Sequence, residues 1–301
     1  MRRLFPGSGT HLWDPSHRFQ TSWLVPPYAL FAIRLLISIY AFTTLLFNIG
    51  YECATPSQGG CDSARSNFSF FTVLSYWGLA FYCLISSFHT FIYARRGSAT
   101  LDNWPAPLQF LHSLLYSTAI TYPFLVTIVF WALLSSPATL ATRYSTWSNI
   151  SQHALNSVFA LLEIALPRTN PAPWIHLPFL IFFLALYLAL AYLTHATKGF
   201  YPYSFLDPGL QHSLVAAYVF GIAIGICILF ALSWSLVWVR RWVTETKLGY
   251  DGVFAHEGIG RDLEDRGEKE VDGNGNGNGN GGQMQTQRGY GYEGSEINPA
   301  V

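Results

Sequence analysis

Apolar residues in this chain come in long blocks, not in short alternating runs. Five blocks, at about residues 27–48, 70–93, 110–134, 174–195 and 213–239, are each long enough to cross a bilayer as a helix. A hydrocarbon core of about 30 Å needs roughly 20 helical residues. A sixth segment, 149–166 ("NISQHALNSVFALLEIAL"), is shorter and more polar. It is read as a span because omitting it would reverse the side of everything after it. Aromatic residues mark many of the expected span ends: Trp23, Tyr28, Trp104, Trp147, Trp174, Trp238 and Trp242. This is the interfacial belt of membrane helices. The pattern predicts an all-α, polytopic integral membrane bundle of six transmembrane helices over 25–242, between an N-terminal segment (1–24) and a C-terminal tail (243–301).

Composition agrees with the pattern. The chain is 51% hydrophobic and only 11% charged, whereas a soluble domain carries about 25% charge. Formal net charge is zero, which gives no reason to expect a nucleic-acid partner. The tail is charged and glycine-rich, with the run "GNGNGNGNGG". It cannot bury a core and is expected to be disordered, with protein partners the sequence does not name. No soluble catalytic domain remains, so any chemistry is expected inside the bundle. The first 24 residues hold Arg2, Arg3, His11, Asp14, His17 and Arg18 without an apolar core. They do not resemble a cleaved signal peptide, and targeting is expected to fall to the first span.

Positive charge orients the spans. With both termini cytosolic, the cytosolic flanks hold Arg2, Arg3, Arg18, Arg95, Arg96, Arg168, Arg240, Arg241 and Lys247, against Arg65, Arg143 and Lys198 opposite. The membrane is then the endoplasmic reticulum or endomembrane system, or the plasma membrane. Cys53 and Cys61 share a non-cytosolic loop and pair if that side is oxidising. The sequons at Asn67 and Asn149 fall on the same side but abut the membrane, so they are expected to stay unmodified.

Polar residues inside the spans are expensive and call for partners. Thr72 enters with the second span, His153 with the fourth, and His195 leaves with the fifth, so all three share one depth. A histidine beside a hydroxyl suits nucleophilic catalysis, because the imidazole takes the hydroxyl proton during attack on an acyl carbon. His195 or Asp207 would orient the imidazole, and Asn156, one turn below His153, would support the site. The plainer alternative is a threonine bonded to its own i−4 carbonyl and a solvated interfacial histidine. His153, Asn156, Ala160 and Glu163 share one helix face. Glu163 lies too deep to serve His153, and Arg34 in the first span is its expected structural partner. His89, His112 and His176 cluster at the other end, but no HxxH or HxxxH pair sets two ligands on one face. No metal site and no cofactor are expected. Gly221 and Gly225 form a GxxxG pattern, read as a place of close helix packing.

The stretches "FSFFTVLSYWGLAFY", "TYPFLVTIVFW", "HALNSVFALLE" and "HATKGFYPYSFLDP" resemble the androgen-induced, androgen-dependent family of membrane proteins over about residues 30–240. More loosely, the chain is similar to rolling stone-type membrane proteins. The first resemblance implies a hydrolase of fatty acid esters of hydroxy fatty acids, acting in the lipid bilayer on a lipid ester substrate. The family's threonine matches Thr72 and its histidine matches His153. Ile150 stands where some relatives carry a further histidine, the loop after His195 differs in length, and the tail has no counterpart. Two other classes of function compete with the hydrolase: a non-enzymatic membrane adaptor that recruits partners through its tail, and a small transporter with Arg34 and Glu163 on its path.

Overall fold

In the computed structural model, residue 14 and residues 16–250 are described. Arg2, Arg3, His11 and the glycine-rich tail lie outside the described residues. Five helices there are long and apolar enough to cross a membrane: α1 (Pro27–Ala54), α2 (Phe71–Arg96), α3 (Ala106–Leu134), α5 (His176–Lys198) and α6 (Leu214–Lys247). Between α3 and α5 the chain is helical from 143 to 165, here called α4, as Arg143–Ile150, a π turn over Ser151–Leu155, and Asn156–Ala165. The one β feature among the described residues is an isolated bridge between Ser22 and Pro167. The fold is therefore an all-α membrane helix bundle.

The ends of α4 establish that it crosses the bundle. Its first turns meet the far end of α1, where Asn48 Nδ2 donates to Ser148 Oγ at 2.9 Å. Its last turn meets the segment before α1, where the Trp23 indole donates to the Ala165 carbonyl at 2.6 Å. With this crossing, the start of α1 and the end of α6 share one end of the bundle. That end is rich in arginine. The opposite end carries the Cys53–Cys61 disulfide.

Local chemistry sets the helix limits. Pro27 opens α1, where its missing N–H is no loss. Gly97 and Gly199, at φ 69° and 77°, end α2 and α5 in the left-handed conformation. Some helices outrun their apolar blocks because their polar extensions find partners. α1 reaches Ala54, with Asn48 held by Ser148 and Glu52 accepting from Asn67 Nδ2 at 2.8 Å. α4 starts at Arg143, not at 149, on a Thr142 cap that accepts from the Ser145 amide at 3.0 Å. α6 continues as a π turn over Trp242–Lys247, so 243–247, assigned to the tail by composition, are helical. Glu245 holds this turn by pairing with Arg18 and Arg241.

Residues 16–24 are not a free flank either. Arg18, Gln20, Thr21 and Ser22 are buried. Arg18 Nε donates to the Arg168 carbonyl at 2.8 Å and Ser22 Oγ to the Leu166 carbonyl at 2.6 Å.

Ile37, Ala41 and Leu45 of α1 pack on Tyr76, Leu79, Ala80 and Cys83 of α2. The small Ala80 lets α1 come close enough for Ser38 Oγ to reach its carbonyl at 3.0 Å. A second cluster joins α3, α5 and α6 through Leu125, Leu180, Ile226 and Phe230. Outward, the helices expose large apolar side chains, with Phe220, Ile224 and Ile228 of α6 at 69%, 61% and 63%. Such a surface suits lipid. Gly221 and Gly225 do not pack as expected: nothing lies within 4 Å of where a Cβ would stand on either. α6 turns this face away from its neighbours, so the motif makes no close helix contact here.

One charged pair is fully enclosed. Arg34 and Glu163 are 1% and 2% exposed and meet through two parallel bonds, Nε–Oε1 and Nη2–Oε2, each 2.8 Å. Arg34 Nη1 also donates to the Phe19 carbonyl and to Thr90 Oγ1, both at 2.7 Å, and the Tyr82 hydroxyl donates to Glu163 Oε2 at 2.9 Å. Four of the five guanidinium N–H groups and both carboxylate oxygens are bonded, which suits a buried ion pair.

Candidate active site

Thr72 is the second residue of α2, whose N-cap Phe70 is extended (φ −99°, ψ 131°). First-turn amides have no partner within their own helix. The Thr72 N–H instead points to the Tyr203 hydroxyl at 3.4 Å, and Thr72 Oγ1 lies 3.4 Å from the same oxygen. Tyr203 comes from the loop after α5. Burial raises its phenol above the ordinary range, so it keeps its proton at neutral pH.

His153 lies in the π turn of α4. Such turns are rare and gather at functional sites. This one faces a second π turn, Phe130–Leu134 of α3. The His153 ring stacks on Phe130 at 3.7 Å and 6°, and its carbonyl accepts from the Trp131 indole at 3.0 Å. Its Nδ1 is buried and has no hydrogen-bond partner. Leaving such an atom unpaired costs about 1–3 kcal/mol.

Thr72 and His153, each 8% exposed, line one cavity of about 400 Å³ at the disulfide end. No hydrogen bond joins them; they face a shared space. Its wall includes Asn48, Glu52, Asn67, Ser148, Gln152 and Tyr203, and among the described residues no arginine or lysine lines it. Across Thr72 lies a second cavity of about 250 Å³, between α3, α5 and α6, walled by residues such as Leu125, Val129, Leu184, Phe205 and Ile222. Thr72, Phe130, Leu134 and Tyr203 line both. Thr72 therefore stands between a polar chamber and an apolar one.

The other candidate residues are placed elsewhere. His195 is exposed and stacks on Tyr201 at 3.9 Å; it lines neither cavity. Its helix face points outward, although its depth matches. Asp207 caps a short turn by accepting from the Gly209 amide at 2.7 Å. Asn156 is buried, but its Oδ1 accepts from Thr127 Oγ1 at 3.1 Å and does not bond His153. Arg34 and Glu163 line neither cavity. His89 Nδ1 is paired with Thr100 at 2.6 Å and His176 Nδ1 with Ser117 at 2.7 Å. No metal-holding group of three His, Cys, Asp or Glu occurs among the described residues. Both sequon asparagines are engaged, Asn67 by Glu52 and Asn149 by the carbonyls of Thr139 and Ser145.

Sequence reasoning passed over Tyr203, Asn48, Glu52 and Trp77, which line the polar chamber. The available signals were an acid one turn after an asparagine at the end of the first span, and the aromatic loop "GFYPYSF" after the fifth. No model of a known protein family, no curated protein and no solved structure matches the chain.

Proposed function

We propose that the protein is a membrane-embedded hydrolase of long-chain lipid esters, with Thr72 as nucleophile and His153 as base. The observation that carries this reading is the shared cavity: a threonine and a histidine from different helices line one polar chamber, with an apolar chamber opening from the same threonine. In the resemblance to androgen-induced membrane proteins, the family's threonine and histidine match these same two residues. The acyl chain occupies the apolar chamber and the alcohol half the polar one. Thr72 Oγ1 attacks the acyl carbon while the imidazole takes its proton. The tetrahedral intermediate expels the alcohol, which receives that proton, and leaves an acyl-threonine. Water then attacks the acyl carbon, passing a proton to His153, and the fatty acid departs as the proton returns to Thr72. Tyr203, protonated and 3.4 Å from Thr72 Oγ1, orients the nucleophile through that contact. We further propose that the disulfide end faces the non-cytosolic side of an endomembrane or plasma membrane, leaving both termini in the cytosol.

The test is ester hydrolysis and fluorophosphonate labelling by the purified protein. Thr72→Ala and His153→Ala should each bring hydrolysis to background, and the double variant should be no worse, because nucleophile and base act as a unit. Thr72→Ser should keep part of the rate. Activity should fall on acidification, since a protonated imidazole accepts no proton. A folded Thr72→Ala protein that cleaves esters at the wild-type rate sinks the mechanism.

A further inference from the structure

The apolar chamber has one wall that reaches the outside of the bundle. On the inner side stands α3, whose lining residues Leu125, Val126 and Phe130 are buried. On the outer side stand α5 and α6, and there Ile181, Ala185 and Phe220 both line the chamber and are exposed. Phe220 belongs to the face of α6 that also turns Ile224 and Ile228 outward. A residue that borders the cavity and the lipid side at once marks an opening between them.

The opening has a floor and a roof. Towards the arginine-rich end, α5 and α6 close on each other through the buried residues Leu180, Ile226 and Phe230. Towards the disulfide end, Ala191 of α5 packs with Phe205 and Leu206 of the loop, and Tyr218 of α6 packs against them. Between these two contacts the chamber separates the helices, and Ala185 and Ala223, which line it from either side, are too small to bridge it.

Its length along the bundle is short. The Tyr187 hydroxyl donates to the Ser69 carbonyl at 3.2 Å and its ring meets Phe71 at 5.2 Å. Tyr187 therefore marks the Thr72 end of the chamber on α5. Ile181 lies six residues nearer the arginine-rich end, about 9 Å away along the helix. The acyl chains of one leaflet fill half of a hydrocarbon core of about 30 Å, or roughly 15 Å. A long acyl group bonded at Thr72 is too long for the chamber, and the only exposed side by which it can leave is apolar.

We infer that the slot between α5 and α6 is a lateral portal, through which the ester enters from the bilayer and through which a long acyl chain trails back into lipid. This rests on the hydrolase reading of Thr72. The enzyme then does not select for chain length beyond the chamber, and Ala185 and Ala223 set that tolerance by leaving the slot open.

The experiment compares kcat/KM for the butyryl, octanoyl and palmitoyl esters of p-nitrophenol, each offered to the purified protein in the same mixed micelles. The wild type should cleave the palmitoyl and octanoyl esters within about threefold of each other, because carbons that remain in lipid bury no further area on binding. Ala185→Trp and Ala223→Trp fill the slot. Each should lower the palmitoyl-to-octanoyl ratio by about tenfold or more, as steric exclusion from an apolar pocket does, and should affect the butyryl ester far less. The unfolding temperature in detergent checks that each variant is folded, and the wild-type profile decides the matter where one is not. A steep fall from octanoyl to palmitoyl in the wild type means a closed chamber; it overturns this inference and leaves the hydrolase standing. Wild-type ratios in both folded tryptophan variants overturn it as well. Failure of the wild type to cleave any of the three esters removes both readings.

Discussion

At the scale of single residues, the proposed mechanism turns on Tyr203 beside Thr72. Its hydroxyl accepts from the Thr72 amide, which leaves its own proton free for Thr72 Oγ1. Donated that way, the bond leaves the threonine hydrogen free to go to the imidazole. Tyr203→Phe removes this bond while keeping the ring contacts with Phe70 and Phe205. One such bond contributes about 0.5–1.5 kcal/mol, so kcat should drop by up to about tenfold with KM nearly unchanged. Equal kcat in the variant would reduce Tyr203 to a packing residue. That Thr72 and His153 come together at one cavity was legible from their shared depth. Tyr203 was not, because a loop residue carries no periodicity that would aim its side chain.

At the scale of elements, α1 and α4 are joined at one end by Arg34 and Glu163 and at the other by Asn48 and Ser148. The π turn lies between these ties. It shifts the register within α4, so Glu163 and His153 each meet their own surroundings. Truncating one member of the ion pair leaves the other buried and charged, at a cost of about 3–5 kcal/mol. Glu163→Gln and Arg34→Gln should each lower the thermal unfolding temperature in detergent sharply. The double variant should lose less than the sum of the two, since it contains no orphaned charge. Additive losses would mean that the two side chains do not interact energetically. The pairing was within reach of the sequence, because two opposite charges at one depth have few alternatives in lipid. The π turn was not, since nothing in "SQHAL" departs from ordinary helical composition.

At the scale of the whole molecule, the chamber lined by Thr72 and His153 lies at the disulfide end, opposite the arginine-rich end. Positive charge favours the cytosolic side of a membrane, so a cysteine at exposed Ser98 should be labelled from the cytosol. One at exposed Ala138 should be labelled from the opposite side. Labelling of both from one side would rule out the proposed orientation. The sequence by itself determined the helical class and the long apolar helices, because hydrocarbon imposes length and apolarity on any segment that spans it. Hydropathy carries no information on how each helix is rotated about its axis or which helices are neighbours. Only the tertiary structure therefore decided that His195 turns outward, that Gly221 and Gly225 meet no neighbour, and that Asn48, Glu52, Trp77 and Tyr203 converge around Thr72. These contacts join segments far apart in the chain, and they exist only once α1 to α6 have packed.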